Sequence, residues 1–172
     1  MNPSPALPAV QVSWQDATAF AAWLSDRTGK LYRLPTDEEW AYAAGSRFQD
    51  DGLALENNPR DPSKRWLAQY DREAEGEIDS RVRPAGSFGV NERGLFDLSG
   101  NVWEWTNTCF LHQSFDQDDH GPTGSIVNCG VRVVEGKHRT YVSDFIRDAR
   151  AGGCAVGTPP SNLGFRLVRE RG

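Results

Sequence analysis

The stretch 94–105 constrains the fold more than any other part of the chain, and its sequence is GLFDLSGNVWEW. Residues 99–101 are typical of a turn, because Gly and Asn tolerate a positive φ and Asn can hydrogen-bond to the nearby backbone. After that turn, a strand with a period of two would place Val102 and Glu104 on one face and the two tryptophans on the other. The pattern therefore predicts a turn that leads into a strand and directs one acid at a neighbouring element.

The same stretch is rich in oxygen atoms that could bind a hard cation. Asp97 and Glu104 supply carboxylates, and the irregular turn would leave the carbonyl groups of Gly100 and Val102 available. Ca²⁺ prefers such oxygen ligands. We therefore predict a calcium site at Asp97, Gly100, Val102 and Glu104. The alternative is that Glu104 makes ordinary hydrogen bonds at a surface or a sheet edge, and spacing alone does not choose between the two.

Length and composition favour one domain with many turns. The 172 residues are enough for one hydrophobic core, and 17 Gly and 10 Pro indicate short elements joined by long loops. The net charge of −5 argues against nucleic acid as a partner, because binding to phosphates needs a basic surface. No apolar run approaches the roughly 20 residues that span a bilayer, and the N-terminus lacks a signal-peptide pattern. We therefore expect a cytoplasmic protein without a membrane partner.

The cysteines Cys109, Cys129 and Cys154 form no CxxC pair and show no spacing that is typical of metal ligands. In a cytoplasmic protein we expect these thiols to be reduced and inert. A single disulfide would leave one thiol over.

Two capping boxes predict two helices. Ser13 and Asp16 fit the first box, and Gly29 is placed to end that helix. Thr36 and Glu39 fit the second box. The residues expected on the buried sides are Ala17, Phe20, Ala21 and Leu24 in the first helix and Trp40, Ala43 and Ala44 in the second.

Polar or Pro-rich stretches predict the connections between elements. Residues 1–9 read as a flexible leader, and residues 48–64 and 107–125 read as loops. His112 and His120 lie in the second loop beside several acids, but their irregular spacing favours a surface loop over a transition-metal site. The β-branched residues between 126 and 134 predict strands.

Three motifs in this order resemble the sulfatase-modifying factor, or formylglycine-generating enzyme, family. They are RLPTDEEWAYAA at 33–44, the stretch at 94–105 and SNLGFR at 161–166. The resemblance covers nearly the whole chain and implies an α+β, C-type-lectin-like fold, in which two helices combine with short antiparallel strands and much irregular loop. It also implies one domain at 10–172 after the leader, and bound calcium as in several members.

Family members normally carry a substantial portion before the equivalent of residue 10. The resemblance therefore implies a shortened variant, a fragment, or a chain whose missing strands come from a partner or a second copy. An open sheet edge would favour such a homo-oligomer.

Residues 137–142 decide whether the resemblance extends to catalysis. In catalytic members the corresponding segment resembles Cys-His-Arg-Ser-Tyr-Cys, whose two thiolates bind copper(I) and engage a substrate cysteine. His138, Arg139 and Tyr141 match this segment, but the two cysteine positions carry Lys137 and Val142. Neither side chain can replace a thiolate as a ligand for a soft ion, so copper is not expected.

Two hypotheses about function follow. The first is a non-catalytic, calcium-stabilised, lectin-like binding or accessory module that binds a peptide, a small ligand or a protein partner. Its groove would be lined by Lys137, His138, Arg139 and Asn162, although Asn162 could equally cap a turn. The alternative is a metal-dependent oxidase of the formylglycine-generating or ergothioneine-synthase type that acts on a thiol-containing substrate. That enzyme would need either an iron site from His112, His120 and His138 or convergence of Cys129 and Cys154.

Overall fold

The computed structural model describes residues 4–48, 81–115, 122–149 and 162–171. Most of the predicted loop 48–64, together with His120 and Cys154, lies outside these ranges. Within them neither helix has the length and hydrophobicity that a membrane span requires. The elements in chain order are α1 (Trp14–Thr28), β1 (Tyr32–Arg33), α2 (Asp37–Ala44), a 3-10 turn (Gly45–Arg47), β2 (Trp103–Phe115), β3 (Pro122–Glu135), β4 (Thr140–Ser143), β5 (Leu163–Gly164) and β6 (Val168–Arg169).

Both helices begin at the predicted capping boxes. The hydroxyl of Ser13 accepts the backbone N–H of Asp16, and the Asp16 carboxylate accepts the backbone N–H of Ser13. Thr36 and Glu39 make the same reciprocal pair at the start of α2. Helix α1 ends at Gly29, whose φ of 66° is left-handed, as a glycine after a helix permits. Each box satisfies two N–H groups that the first turn of a helix leaves without a partner.

The buried side of α1 is narrower than the apolar pattern predicts. Ala17 and Ala21 are buried, but Phe20 is 44% exposed. Its ring packs against Trp23 of the same helix and against Phe165. The two alanines therefore provide the close approach to the core, while the aromatic residues form a cluster at the surface.

The strands form two sheets. One has the order β4-β3-β2-β5, in which β2 and β3 are antiparallel and β5 runs parallel to β2. The other consists of β1 and β6 in antiparallel pairing. Among the described residues, β4 and β5 are the edges of the larger sheet. Pairing of either edge with a second copy stays a prediction.

The prediction of a loop at 107–125 is wrong wherever the structure describes that segment. Strands β2 and β3 continue through it as one long hairpin that reaches the pair Phe115 and Pro122. Residues 124–130 are all exposed, and a strand without a buried face shows no apolar alternation in its sequence. The pairing is irregular, since its register shifts between Trp105 and Cys109 and again after Cys109.

The hydrophobic core is built around the central motif. All of residues 101–106 are buried, so both faces of this part of β2 are covered rather than one. Trp103 and Trp105 are fully buried in the main cluster with Val134 and Leu163. A second cluster consists of Trp40, Ala44 and Leu98.

Part of the leader contacts this body. The carbonyl of Ala6 accepts the N–H of Ala85 at 2.9 Å. The carbonyl of Ala9 lies so close to Gly164 that a Cβ added there would be 2.7 Å from its oxygen. The predicted flexible leader 1–9 is therefore in contact with the rest of the chain at these residues.

Candidate functional site

The carboxylate of Glu104 joins the three sequence motifs. It is 5% exposed, and its Oε2 accepts hydrogen bonds from Trp40 Nε1 at 2.6 Å and from Arg166 Nε at 2.5 Å. Its Oε1 accepts a third bond from Arg166 Nη2 at 2.6 Å. Trp40 belongs to the first motif and Arg166 to the third. The acid that the sequence directs at a neighbouring element therefore connects α2, β2 and the segment after β5.

This pair also fixes the charge of Arg166. Burial disfavours its charged guanidinium, but the Glu104 carboxylate more than offsets this effect, so the pKa of Arg166 lies above its ordinary value. The guanidinium remains a cation and would repel a second cation at the same oxygens. Glu104 therefore has the surroundings of an ion-pair partner rather than of a calcium ligand.

Asp97 organises the turn that precedes β2. Its φ is 59°, and its two carboxylate oxygens accept the backbone N–H groups of Gly86 at 2.6 Å and Phe88 at 2.8 Å. Its own carbonyl accepts the N–H of Gly100, and the Gly100 carbonyl accepts the N–H of Val102. The oxygens that the prediction assigns to calcium at Asp97, Gly100 and Glu104 thus have partners within the protein. These contacts do not support calcium at this motif, and the site at Asp97, Gly100, Val102 and Glu104 stays a prediction. Across the described ranges, no group of three or more His, Cys, Asp and Glu side chains is placed to hold a metal.

The four predicted groove residues differ in exposure. Lys137 is exposed, Arg139 and Asn162 are half-buried, and His138 is buried. The His138 ring packs edge-on against Trp103, with 4.7 Å between ring centroids. Asn162 directly precedes Leu163, which is the sheet partner of Trp103. Trp103 therefore contacts His138 and pairs through its backbone with the residue after Asn162, and His138 packs on the core instead of lining an open surface.

Arg139 connects the β3–β4 turn to α2. Its Nε donates to Glu135 at 3.0 Å, and its Nη2 lies 3.4 Å from Asp37. Its guanidinium also lies 5.7 Å from the ring centroid of Phe48. Asp37 accepts a further bond from the hydroxyl of Thr108 at 2.8 Å. The sequence reasoning missed Asp37 because its partners Thr108 and Arg139 are distant along the chain, and it missed Glu135 although Arg139 is only four residues away.

The positions that carry thiols in catalytic relatives have unlike surroundings in this chain. Lys137 is exposed at the turn, whereas Val142 is fully buried in the main core cluster. Gly136 packs directly on Trp103, since a Cβ added to it would lie 2.8 Å from the indole ring. An ammonium in solvent and a buried isopropyl group do not fit copper(I), which selects thiolates.

The expectation that all three cysteines are reduced is wrong for two of them. Cys109 and Cys129 form a disulfide with an S–S distance of 2.02 Å. The physical reason is the hairpin, which brings the two residues together across β2 and β3. The oxidase hypothesis needed Cys129 and Cys154 to converge as two thiolates. Cys129 is instead bonded to Cys109 and does not supply a thiolate.

The histidines of the iron hypothesis are placed differently from one another. His138 packs on Trp103, while His112 lies in the outer part of the hairpin, where its backbone pairs with Ile126. His120 lies outside the described residues. The iron site stays a prediction without a described cluster to support it.

Comparison with known proteins agrees with the motifs. The family described as "Sulfatase-modifying factor enzyme 1-like domain" matches residues 1–171. The formylglycine-generating enzyme of Streptomyces coelicolor is 32% identical over 179 residues, which cover 95% of this chain and 52% of that protein. The "Inactive C-alpha-formylglycine-generating enzyme 2" of Bos taurus is 32% identical over 183 residues, which cover 96% and 51%. The chain thus spans about half the length of these curated relatives.

Solved structures share the fold. PvdO from Pseudomonas aeruginosa has a TM-score of 0.58 and 26% identity, and the match covers 99% of this chain and 65% of that one. Treponema denticola variable protein 1 has a TM-score of 0.53 and 21% identity, with 97% and 74% covered, and it supports the fold alone. The predicted α+β formylglycine-generating-enzyme fold is confirmed. By its motifs, its fold and the match over nearly its whole length, the chain belongs to the sulfatase-modifying factor enzyme 1-like family.

Proposed function

We propose that this chain is a non-catalytic member of its family and acts as a binding or accessory module. The observation that carries the proposal is the presence of Lys137 and Val142 at two positions. At these positions the resemblance to catalytic members implies cysteines. Val142 is fully buried in the main core cluster, so the apolar side chain at this position contributes to core packing. Without two thiolates, neither copper(I) binding nor engagement of a substrate cysteine is supported.

Two further observations support the proposal. The motif residues that this chain retains have internal contacts: Glu104 binds Trp40 and Arg166, and Arg139 binds Glu135. These contacts stabilise the scaffold and need no catalytic role to explain them. In addition, the Bos taurus relative is named as inactive, so the family includes members described in that way.

The exposed side chain of Lys137 supports a choice of partner. Its ammonium stands on the turn between β3 and β4, close in sequence to the half-buried Arg139. A cation at an exposed turn favours an anionic group, and we infer a peptide segment with acidic side chains as the ligand. The contacts of Asp97 and Glu104 do not support calcium at that motif, so calcium forms no part of this proposal.

A turnover assay tests the non-catalytic part. The reduced protein is given copper(I), oxygen and a cysteine-containing peptide, and the Streptomyces coelicolor enzyme serves as the positive control. We expect no aldehyde product and no tight thiolate-bound copper(I), with a Cys154→Ser variant behaving like the wild type. Turnover, or tight copper binding that is lost in Cys154→Ser, would overturn the proposal and favour the oxidase alternative.

A binding assay tests the ligand. A fluorescently labelled peptide whose cysteine is flanked by acidic residues is titrated with protein, and anisotropy is measured. We expect Lys137→Glu to weaken binding and Lys30→Glu, a matched change at another exposed lysine, to leave it unchanged. Equal binding by the wild type and by Lys137→Glu would refute the assignment of this surface.

A further inference from the structure

The Cys109–Cys129 disulfide lies in the exposed part of the β2–β3 hairpin. Cys129 is exposed and Cys109 is half-buried. The bond crosses the point where the ladder is interrupted, because Cys109 pairs with Arg132 whereas the next residue, Phe110, pairs with Asn128. A thiol in solution can therefore reach at least one of the two sulfurs, in a part of the sheet where backbone pairing is incomplete.

The two sulfurs have different surroundings. Arg132 Nη1 lies 3.1 Å from Cys109 Sγ and donates to the carbonyl of Asn107 at 3.1 Å. The same guanidinium stacks over the ring of Trp14, with 3.9 Å to the centroid. These contacts fix a positive charge beside Cys109 Sγ. A neighbouring cation stabilises a thiolate, so Cys109 is the better leaving group of the pair.

We propose that Cys109–Cys129 is a reactive disulfide that undergoes thiol–disulfide exchange with a dithiol reductant, with Cys129 as the sulfur that is attacked and Cys109 as the leaving thiolate. The exposed position of Cys129 admits the nucleophile, and the Arg132 guanidinium stabilises the charge that develops on Cys109. This reactivity does not depend on the proposed binding function, since the hairpin disulfide is separate from the turn that carries Lys137.

The exchange balances without any further reactant. One thiolate of the dithiol attacks Cys129 Sγ, the bond between the two protein sulfurs breaks, and its electron pair remains on Cys109 Sγ beside Arg132. The second thiol of the dithiol loses its proton to water, and the resulting thiolate attacks the other sulfur of the dithiol, which is bonded to Cys129 in the mixed disulfide. A bond forms between the two sulfurs of the dithiol, and Cys129 is released as a thiolate. The dithiol is oxidised by two electrons to a disulfide, and the protein disulfide is reduced by two electrons to the two cysteines.

Reduction should loosen the outer hairpin. Beyond the register shift, the segments 110–115 and 122–128 are joined by backbone pairing, and residues 124–130 are exposed on the β3 side. Once the covalent link is broken, the exposed residues 124–130 provide little buried surface to hold the two strands together. We therefore expect faster amide hydrogen exchange in both segments after reduction, while residues 101–106 in the core stay protected.

The direction of attack is the most specific test. In a Cys154→Ser background, the oxidised protein is treated briefly with glutathione, the released thiol is alkylated at once, and both cysteines are mapped by mass spectrometry. We expect the glutathione on Cys129 and the alkyl group on Cys109. Glutathione on Cys109, or equal labelling of the two residues, would overturn the proposal. So would three free thiols in the untreated wild-type protein.

The role of the guanidinium is tested by rate. Arg132→Gln should slow reduction by dithiothreitol by roughly threefold to tenfold, because the leaving thiolate loses its neighbouring charge. Arg132→Lys keeps a cation and should retain most of the wild-type rate, and Arg147→Gln, a change at an exposed arginine, should leave the rate unchanged. Reduction of Arg132→Gln at the wild-type rate would refute the assigned role, and the glutathione mapping remains decisive if that variant does not fold.

Discussion

Replacement of Arg166 by Met would leave the Glu104 carboxylate as an uncompensated charge in the core. Arg166 donates two of the three hydrogen bonds described for that carboxylate, and Trp40 donates the third. Loss of one partner from a buried ion pair costs about 3–5 kcal/mol. Because the Arg166 side chain is 26% exposed, some water can reach the site, and we expect a loss of about 3 kcal/mol in the free energy of unfolding. At about 2–4 °C per kcal/mol for a chain of this size, Tm should fall by about 6–12 °C.

Urea and thermal unfolding of four variants would measure this effect. Arg169→Met is the matched control, because Arg169 is exposed on β6, three residues further along the chain, and should change stability by less than about 0.5 kcal/mol. The double variant Glu104→Gln/Arg166→Met removes both charges and should be less destabilised than the sum of its single variants, with a coupling of at least about 1 kcal/mol. The reasoning is refuted if Arg166→Met costs less than about 1 kcal/mol or if the two changes are additive.

The remaining predictions concern packing, pH and metal. Gly164→Ala should destabilise the protein by about 1–3 kcal/mol, because the added Cβ would lie 2.7 Å from a backbone carbonyl oxygen. Gly124→Ala is the control, since a Cβ added there meets no atom within 4 Å, and it should unfold like the wild type. Hydrogen bonds from Arg33 lower the pKa of Glu39 from 4.5 to about 2 in the folded protein. The stability that this carboxylate contributes is therefore fully present above the pKa of the unfolded chain, 4.5, and is lost as the pH falls towards the folded pKa of about 2. Stability should therefore decline over that range more steeply in the wild type than in Glu39→Gln, by a modest amount because the side chain is 41% exposed. A calcium chelator should leave Tm unchanged. A bound ion at a hundredfold excess over its Kd would contribute about 3 kcal/mol to the free energy of unfolding. A clear drop in Tm on chelation that is absent in Glu104→Gln would therefore restore the predicted calcium site.

Local rules predicted the parts of the fold that depend on neighbours in sequence. The capping boxes at Ser13 and Thr36 and the end of α1 at Gly29 involve atoms within a few residues of one another, so the chain fixes them before any tertiary contact forms. The three motifs predicted the family and its fold in the same way, as a pattern along the chain. The burial of Trp40 in α2 was also predicted from its place in the helix and is confirmed.

The site could not be predicted from sequence because its partners lie far apart in the chain. The sequence directs Glu104 at a neighbouring element, but its partner Arg166 is identified only once β5 lies beside β2. His138 and Arg139 were predicted as groove residues, yet folding places His138 against Trp103 and brings Arg139 to Asp37 of α2. The hairpin was missed for a different reason, because residues 124–130 of β3 are all exposed and show no apolar alternation.

The pairing of β1 with β6 has a consequence for synthesis on the ribosome. Residues 32–33 must wait for residues 168–169 before their strand acquires its partner. Helices of 15 and 8 residues are marginal by themselves in water, so α1 and α2 emerge long before the segment that stabilises them against the core has been translated. Their apolar faces remain open to chaperones and to other nascent chains during that interval. Completion of this fold is therefore a late event, and variants that weaken the segment 162–169 should reduce the yield of folded protein in cells more than their effect on equilibrium stability indicates.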